Sequence, residues 1–172
     1  MTPKLRRLSL VFSILVLTMG LDQATKVMAR ESLSAQSLSY LGGIVQLQHS
    51  ENPGAFLSLG ADMDPQTRMI VFTVAVAVVL LASVWTLFKK TDMNTSTTVS
   101  LSLVVAGGLG NLIDRAIKGT VTDFMFVGFN NSWLRTGIFN VADMAIMAGM
   151  VVLIFASFRS EPTPVSDPSK AA

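Results

Sequence analysis

Four apolar blocks organise the chain, and polar stretches separate them. The blocks cover residues 8–29, 69–88, 95–117 and 137–158. Each holds about 20 residues, the length that an α-helix needs to cross a hydrocarbon layer roughly 30 Å thick. Block 69–88 contains no charged residue, whereas the other three carry charged or amide groups near one end. The pattern predicts an α-helical integral membrane protein with four transmembrane helices, in a single domain of residues 1–160.

The polar connections add one further element. In the connection 32–66, the stretch "IVQLQH" alternates apolar and polar residues between the turn signals "LGG" and "ENPG". Such alternation is typical of a short strand. We therefore expect a small extracytoplasmic β-element between helices 1 and 2. The last residues, 161–172, are rich in proline and serine and predict a disordered cytoplasmic tail.

The composition agrees with a membrane protein and excludes several classes of site. Charged residues make up only 14% of the chain, against roughly 25% in ordinary soluble domains. The net charge of +2 is too small to indicate a nucleic-acid partner. No cysteine is present, which excludes disulfides and thiolate catalysis. His49, the single histidine, is expected at an exposed strand end, so we expect neither a serine–histidine site nor a metal or other cofactor.

The distribution of charge predicts the orientation in the membrane. Lys4, Arg6 and Arg7 precede the first block, and such residues favour the cytoplasmic side. Four spans then place both termini in the cytoplasm. The basic start could also belong to a cleaved signal peptide, but no small-residue cleavage site follows it, so we expect an uncleaved anchor. Most acidic residues then fall on the outer side: Asp22, Glu31, Glu51, Asp62, Asp64, Asp114, Asp123 and Asp143.

Two oppositely charged residues stand near the end of the first block. Asp22 and Lys26 are four residues apart, so they share one face of a helix. The acid precedes the base, which is the favourable order for an ion pair. The alternative to a functional site is a simple pair at the helix end, with the Lys26 side chain extended outward to water.

The third block carries a more informative stripe. Gly107, Asn111 and Arg115 recur at intervals of four in "AGGLGNLIDR". Small residues let a neighbouring backbone approach, and asparagine forms hydrogen bonds across helices in lipid. The stripe therefore predicts a helix-packing seam or a polar site, and Arg115 favours the site because it can neutralise or orient nearby carboxylates. Asp114 lies on a neighbouring face, where a pair with Lys118 is the simple expectation.

Two aspartates lie on either side of the connection between the third and fourth blocks. Asp123, in "GTVTDFMF", stands among β-branched and aromatic residues and is expected in an extended segment at the membrane surface. Asn140 and Asp143, in "FNVAD", are three apart at the start of the fourth block, where they could form a capping box. Since the third span runs outward and the fourth runs back, Asp123 and Asp143 reach the same membrane face.

A pair of carboxyl groups at a half-dry interface can perform hydrolysis. Two such groups cannot easily both ionise, so one keeps a proton near neutral pH while the other acts as a base. The ionised carboxylate removes a proton from water, and the protonated carboxyl polarises an amide carbonyl. The two aspartates therefore favour activation of water against an amide bond.

Five motifs occur in order along the chain: "DQATK" (22–26), "NPGAF" (52–56), "GGLGNLIDR" (107–115), "VTDF" (121–124) and "FNVAD" (139–143). In these motifs the chain resembles the lipoprotein signal peptidases (signal peptidase II), four-span aspartic endopeptidases of the bacterial cytoplasmic (inner) membrane. The resemblance implies cleavage of diacylglyceryl-modified prolipoproteins just before the lipidated cysteine, at the periplasmic face. The implied partners are this substrate and membrane lipid, and we expect a monomer.

The resemblance also implies roles for individual residues. Asp123 and Asp143 correspond to the catalytic pair. The resemblance implies support or substrate contact for a second set of residues: Asp22, Lys26, Asn52, Gly54, Asn111, Arg115 and Asn140. We add Gly107, from the stripe on the third block, to this set. The chain departs from the usual family pattern where Phe56 follows Ala55 directly.

A small four-helix transporter or proton pathway is the alternative function, because intramembrane aspartate, lysine and arginine are also typical of transporters. A transporter would need polar groups at mid-span that reach both membrane faces. Here block 69–88 carries no charge, and the cytoplasmic halves of the other blocks contribute only serine and threonine. A polar patch that is confined to one membrane face and does not cross the bilayer favours an enzyme.

Overall fold

The computed structural model describes residues 1–53, 63–90, 93–129 and 135–158. Its helices are α1 (Pro3–Ser32), α2 (Pro65–Lys89), α3 (Thr95–Lys118) and α4 (Val141–Phe158). Its strands are β1 (Leu38–Tyr40), β2 (Val45–Asn52) and β3 (Val121–Val127). Gly54, Phe56 and the predicted disordered tail 161–172 lie outside the described residues.

The helices agree with the predicted membrane class. Within the described residues, α1, α3 and α4 are long and apolar enough to cross a membrane, and the apolar part of α2 runs over Thr73–Lys89. The helix ends differ from the block ends because of local capping. α1 begins before the first block, where the Thr2 hydroxyl accepts a hydrogen bond from the Leu5 N–H at 3.3 Å. α4 begins at Val141 rather than at 137, because Asn140 caps it.

α3 is the central helix of the bundle. It contacts α1, α2 and α4, and α1 also contacts α4. Glycines explain the close approach of α3 and α4: a Cβ atom at Gly107 would lie 2.3 Å from the Ala142 carbonyl oxygen, and one at Gly149 would lie 2.7 Å from that of Ser100. The helix-packing seam that the stripe of Gly107, Asn111 and Arg115 predicts is therefore present at Gly107, because only a hydrogen atom fits there.

The two ends of the bundle differ in chemistry. At one end Val11, Leu87 and Val105 form a buried apolar cluster, and the Arg7 side chain donates hydrogen bonds to the backbone carbonyls of Leu87 and Lys90. A cation is favourable there, because the last carbonyls of α2 carry partial negative charge. We call this end the Arg7 end, and the opposite one the sheet end.

The sheet is antiparallel with the order β1-β2-β3. The predicted strand in "IVQLQH" is confirmed as part of β2, and the predicted extended segment around Asp123 is confirmed as β3. Only two of the strands lie between α1 and α2, since β3 comes from the connection between α3 and α4. The register between β2 and β3 shifts between Leu47 and Ser50.

The backbone of Phe139 ties the start of α4 to β3. The Phe139 carbonyl accepts hydrogen bonds from the Phe124 N–H (3.1 Å) and the Met125 N–H (2.9 Å), and the Phe139 N–H donates to the Met125 carbonyl (2.8 Å). Ala29 and Leu33 pack against Phe124 in a second apolar cluster. Asn140 therefore follows directly from a residue bonded to the strand that carries Asp123.

Candidate active site

Buried polar side chains converge at the sheet end, where α1, α3, β3 and the start of α4 meet. Asp123 lies on β3 and is only 2% exposed, although it is ionisable. Burial of so many polar groups is favourable only if they bond to one another. Six other members of this group, all buried, are Asp22, Lys26, Asn111, Asp114, Thr122 and Asn140.

Asn140 and Asp143 form the capping box that their spacing predicts. The Asn140 Oδ1 accepts from the Asp143 N–H at 3.0 Å, and Asp143 Oδ2 accepts from the Asn140 N–H at 3.1 Å. This reciprocal pair satisfies N–H groups at the start of α4. The capping box leaves Asp143 Oδ1 available for a further contact, so the structural and the functional interpretations of Asp143 are compatible.

Two asparagines connect Asp123 with Asp143. The Asn140 Nδ2 donates to Asp123 Oδ1 at 2.6 Å and to Asn111 Oδ1 at 3.1 Å. Asn111 in turn donates from Nδ2 to Asp143 Oδ1 at 2.8 Å. The Asn52 side chain completes the shell of Asp123, because its Nδ2 donates to Oδ2 at 3.0 Å. Each carboxyl group is thus oriented by two donors, and the two groups face one connected network.

Burial raises the pKa of Asp123 to about 6. Hydrogen bonds from Asn52 and Asn140 favour the ionised form and oppose this shift, whereas the negative charge of Asp143 adds to it. The shift follows because removal from water penalises the charged form of a carboxyl group. Asp123 is therefore a carboxyl group that holds a proton close to the neutral range.

Lys26 does not extend outward to water, so the helix-end interpretation of this residue is wrong. Its side chain is 0% exposed, and its Nζ lies 2.8 Å from Asp22 Oδ2, 2.9 Å from Asn111 Oδ1 and 3.3 Å from Asp114 Oδ2. Each of the three ammonium hydrogens therefore has an acceptor. The predicted Asp22–Lys26 ion pair is confirmed, and it is buried because α3 covers it.

Asp22 contacts the start of α4 from α1. Its Oδ1 accepts from the Ala142 N–H at 2.9 Å, which caps a free N–H group of α4. The backbone of Gly110 must be close for this contact, since a Cβ atom there would lie 2.6 Å from Asp22 Oδ2. Asp22 and Lys26 therefore support the network and do not contact Asp123 or Asp143 by hydrogen bonds.

The remaining predicted residues differ in how well their surroundings are defined. Arg115 is half-buried and interacts electrostatically with Asp143, Asp123 and Asp114. In the described part of the chain, no carboxylate oxygen lies within 4.0 Å of its guanidinium. The surroundings of Gly54 are not among the described residues.

The sequence pattern predicts only one of the contacts of Asp114. Its predicted pair with Lys118 is present at 3.3 Å. Asp114 Oδ2 also accepts from the Thr122 N–H at 3.1 Å and contacts Lys26. The spacing of four residues to Lys118 reveals the first contact, but no local spacing reveals the link to the strand that carries Asp123.

His49 and Glu51 form a second polar group on β2. His49 was expected at an exposed strand end, but its side chain is only 25% exposed and lies within the strand, where its Nε2 is 2.9 Å from Glu51 Oε1. The contact with Glu51 holds the imidazole ring beside the strand. Across the described ranges, no group of three or more metal-binding side chains is arranged to hold a metal ion.

Comparison with known proteins gives consistent similarities. Residues 14–159 match the family model of signal peptidase (SPase) II. The chain is 31% identical to the lipoprotein signal peptidase of Streptococcus pneumoniae, over 91% of this chain and 97% of that protein. It is 35% identical to the enzyme of the same name from Desulforapulum autotrophicum, over 90% and 93%. A solved bacterial membrane enzyme, determined by the in meso method at 1.9 Å resolution, matches 88% of this chain and 94% of its own with a TM-score of 0.73 and 26% identity.

Proposed function

The chain belongs to the signal peptidase II family and removes signal peptides from prolipoproteins as an aspartic peptidase, and we propose that Asp123 and Asp143 are its catalytic pair. The observation that supports this assignment is the network of Asn140 and Asn111, which connects and orients the two carboxyl groups. The family match covers both aspartates. Preorganised groups of this kind lower a reaction barrier, because they need no rearrangement when charge develops.

The proposed mechanism divides the two roles between the carboxyl groups. The carboxylate of Asp143 acts as the base that removes a proton from a water molecule, whose oxygen forms a bond to the scissile carbonyl carbon. Asp123 is the partner that carries the proton in the reactive form, since burial raises its pKa to about 6 and so makes the protonated form accessible near neutral pH. It donates a hydrogen bond to the carbonyl oxygen, where negative charge develops. The C–N bond then breaks, and a proton passes from the carboxyl pair to the leaving nitrogen.

The surrounding residues support this pair. We assign Asn52, Asn111 and Asn140 to orientation of the carboxyl groups, on the hydrogen bonds that they donate. Lys26 holds Asn111, Asp22 holds the start of α4, and Arg115 supplies positive potential. Gly107 lets α4 approach α3. Gly54 is proposed as a supporting residue on its motif alone.

We further propose how the enzyme is placed in the bacterial membrane. It is a multi-pass bacterial membrane enzyme. The positive residues Arg7 and Lys89 lie at the Arg7 end, which favours the cytoplasmic side of the inner membrane for that end. The sheet end, with the carboxyl pair, would then face the periplasm. In this proposal residues 1–160 form one domain, and the enzyme acts as a monomer.

This placement suits a substrate that is itself held in the membrane. A diacylglyceryl-modified cysteine and an apolar signal helix keep the scissile bond at the level of the outer headgroups, where the carboxyl pair lies. Outward-facing apolar side chains on α1, such as Phe12, Leu17 and Met28, are exposed, and they allow contact with lipid and lateral entry of the substrate.

The transporter alternative is less compatible with the buried groups at the Arg7 end. Thr98, Ser100 and Ser102 are buried there, but their hydroxyls donate to carbonyls of their own helix, those of Asn94, Ser96 and Thr98. Within the described ranges, the buried ionisable side chains Asp22, Lys26, Asp114 and Asp123 all belong to the sheet end. A proton pathway would require such groups in both halves.

Conservative replacement of the two aspartates tests the proposed catalytic pair. Asp123→Asn and Asp143→Asn should each lower kcat by at least about 10³-fold, because the amide can neither donate nor remove the transferred proton. The assay follows loss of the signal peptide from a lipidated precursor by mass spectrometry, with purified protein in detergent. Both variants should keep a cooperative thermal unfolding transition.

Controls separate loss of chemistry from loss of structure. Asp64→Asn changes an aspartate that caps α2 by accepting from the Thr67 N–H, and it should leave kcat near the wild-type value. Wild-type enzyme should cleave an unlipidated precursor much more slowly than the lipidated one. Turnover by a folded Asp123→Asn or Asp143→Asn variant would refute the catalytic pair. Equal rates on the lipidated and unlipidated precursors would refute the proposal that the lipid holds the scissile bond at the depth of the carboxyl pair.

A further inference from the structure

Thr122 immediately precedes Asp123 on β3 and is 0% exposed. Successive side chains of a strand point to opposite faces of the sheet. The hydroxyl of Thr122 therefore lies on the face away from the carboxyl group of Asp123. Thr122 lies within the motif "VTDF", but neither the resemblance nor the proposed mechanism gives its side chain a role.

Three elements hold the hydroxyl of Thr122. Its Oγ1 accepts from Arg30 Nη1 on α1 at 3.0 Å and from Lys118 Nζ on α3, and it donates to Glu51 Oε1 on β2 at 2.9 Å. A threonine hydroxyl has one donor and two acceptor positions, so all three are used. The backbone N–H of Thr122 donates to Asp114 Oδ2 as well.

Glu51 connects this contact with the rest of the sheet. It is the cross-strand partner of Thr122, and its side chain is 33% exposed. Its Oε2 accepts from the Thr120 hydroxyl at 2.5 Å, its Oε1 lies 2.9 Å from His49 Nε2, and Lys118 Nζ is 4.0 Å away. Although burial opposes ionisation of Glu51, these hydrogen bonds and the Lys118 charge lower its pKa below the usual range.

The ladder between β2 and β3 is irregular on one side of Asp123. Asp123 pairs with Ser50, and the register between β2 and β3 shifts between Leu47 and Ser50. At such an irregularity the regular inter-strand hydrogen bonds are interrupted and the strand bends. On the other, regular side of Asp123, the next residue pair, Glu51 and Thr122, is also joined through side chains, which adds a contact that holds β3 beside Asp123.

We infer that Thr122 is a positioning residue for the cleavage reaction, and that Glu51, through the Thr122 hydroxyl, holds β3 so that Asp123 faces Asp143. This inference rests on the proposed role of Asp123. A bond on the rear face of the strand determines the position of the carboxyl group on its front face, because both side chains share one stretch of backbone.

Replacement of Thr122 tests the inference through a split between kcat and KM. Thr122→Val keeps the shape and the strand preference of threonine but removes the hydroxyl, and it should lower kcat about tenfold with KM changed by less than about twofold, since a small displacement of a reacting group is costly. Thr122→Ser restores the hydroxyl and should return kcat to within about threefold of wild type. The matched control is Thr120→Val, which removes a different hydroxyl bond to Glu51 and should leave kcat near wild type.

Glu51 provides a test that does not depend on a buried residue. Glu51→Ala should lower kcat about fivefold, whereas Glu51→Gln keeps an acceptor for the Thr122 hydroxyl and should lower it less. If Glu51 acts through Thr122, the Glu51→Ala/Thr122→Val double variant should lose no more than Thr122→Val alone. Thermal unfolding of each variant in detergent shows which have folded.

The outcomes separate the inference from the proposed function. An unchanged kcat in folded Thr122→Val would overturn the inference, as would equal losses in Thr122→Val and Thr120→Val. If Thr122→Val does not fold, an unchanged kcat in Glu51→Ala overturns it instead. If the Thr122 or Glu51 variants overturn the inference while Asp123→Asn is inactive, the proposed catalytic pair still stands. An active Asp123→Asn would refute the catalytic pair itself.

Discussion

The carboxyl group of Asp123 is subject to opposing influences within a few ångströms. Amide donors of Asn52 and Asn140 stabilise its ionised form, while burial and the charge of Asp143 stabilise its protonated form. Burial is the largest contribution, so the pKa rises to about 6. The amide donors keep the shift moderate, because a carboxyl group buried without them would hold its proton still more strongly. Asp123 can therefore exchange its proton near neutral pH.

This pKa predicts the pH dependence of cleavage. Asp123 is protonated below about pH 6 and ionised above it, and the proposed mechanism needs its protonated form. The value of kcat/KM, which reports groups of the free enzyme, should therefore fall as pH rises through the range around 6. The measurement is cleavage of a lipidated precursor in detergent between pH 5 and 9.

Replacement of Asn52 tests the cause of the Asp123 pKa shift through the same pH profile of kcat/KM. Asn52→Ala removes a donor that favours ionised Asp123, so the alkaline decline should move to higher pH while the maximal rate falls. A profile without a decline above pH 6 would contradict the assignment of Asp123 as the protonated partner. A decline that moved to lower pH in Asn52→Ala would contradict the stated cause of the shift.

The start of α4 is held by groups from three other elements. Asn140 caps it locally, Asp22 from α1 bonds to the Ala142 N–H, and Gly107 of α3 lies against the Ala142 carbonyl. The Phe139 backbone ties the same point to β3. The position of Asp143 relative to Asp123 therefore depends on how closely α4 packs on α3.

Gly107→Ala should disrupt that packing. The added Cβ atom would lie 2.3 Å from the Ala142 carbonyl oxygen and 2.8 Å from Ile146 Cγ1, so α4 has to move outward. A displacement on the order of 1 Å lowers kcat about 10²-fold, and the melting temperature in detergent should also fall. Both quantities are measured on the purified variant.

Gly20→Ala is the matched control for this change. A Cβ atom at Gly20 of α1 has no atom within 4 Å, so nothing has to shift. Alanine is the better helix former by about 1 kcal/mol, and the variant should keep its activity with equal or higher stability. Equal activity of Gly107→Ala and Gly20→Ala would show that the α3–α4 contact does not position Asp143.

In the part of the chain that the structure describes, the buried charges lie at one end of the bundle. Asp22, Lys26, Asp114 and Asp123 lie at the sheet end, whereas the Arg7 end combines an apolar cluster with a cation at the end of α2. A charge is costly at mid-membrane but far less so near the headgroups. This asymmetry suits an enzyme that acts on a membrane-held substrate from one side.

Cysteine labelling should establish the proposed orientation. Because the chain contains no cysteine, single variants report without background. Tyr40→Cys lies at an exposed position of β1, and Lys4→Cys at an exposed position near the Arg7 end. A membrane-impermeant maleimide should label Tyr40→Cys in spheroplasts, and it should label Lys4→Cys only after the membrane is permeabilised. The reverse pattern would show that the sheet end faces the cytoplasm.

The sequence by itself determined what depends on short spacings. The helices follow from the length and continuity of the apolar blocks, and β2 follows from its alternation. The Asp22–Lys26 pair and the capping box of Asn140 and Asp143 follow from separations of four and three residues. Within a helix or a strand such separations fix which side chains meet, so local pattern and structure agree.

Only the tertiary structure decided how these parts combine. The burial of Lys26 depends on α3, the addition of β3 to the sheet depends on pairing with β2, and the bond from Asp114 to Thr122 depends on the turn after α3. The pKa of Asp123 likewise depends on groups from β2 and α4. These contacts join segments distant in sequence, and their geometry is set by how whole helices pack, which no local periodicity encodes.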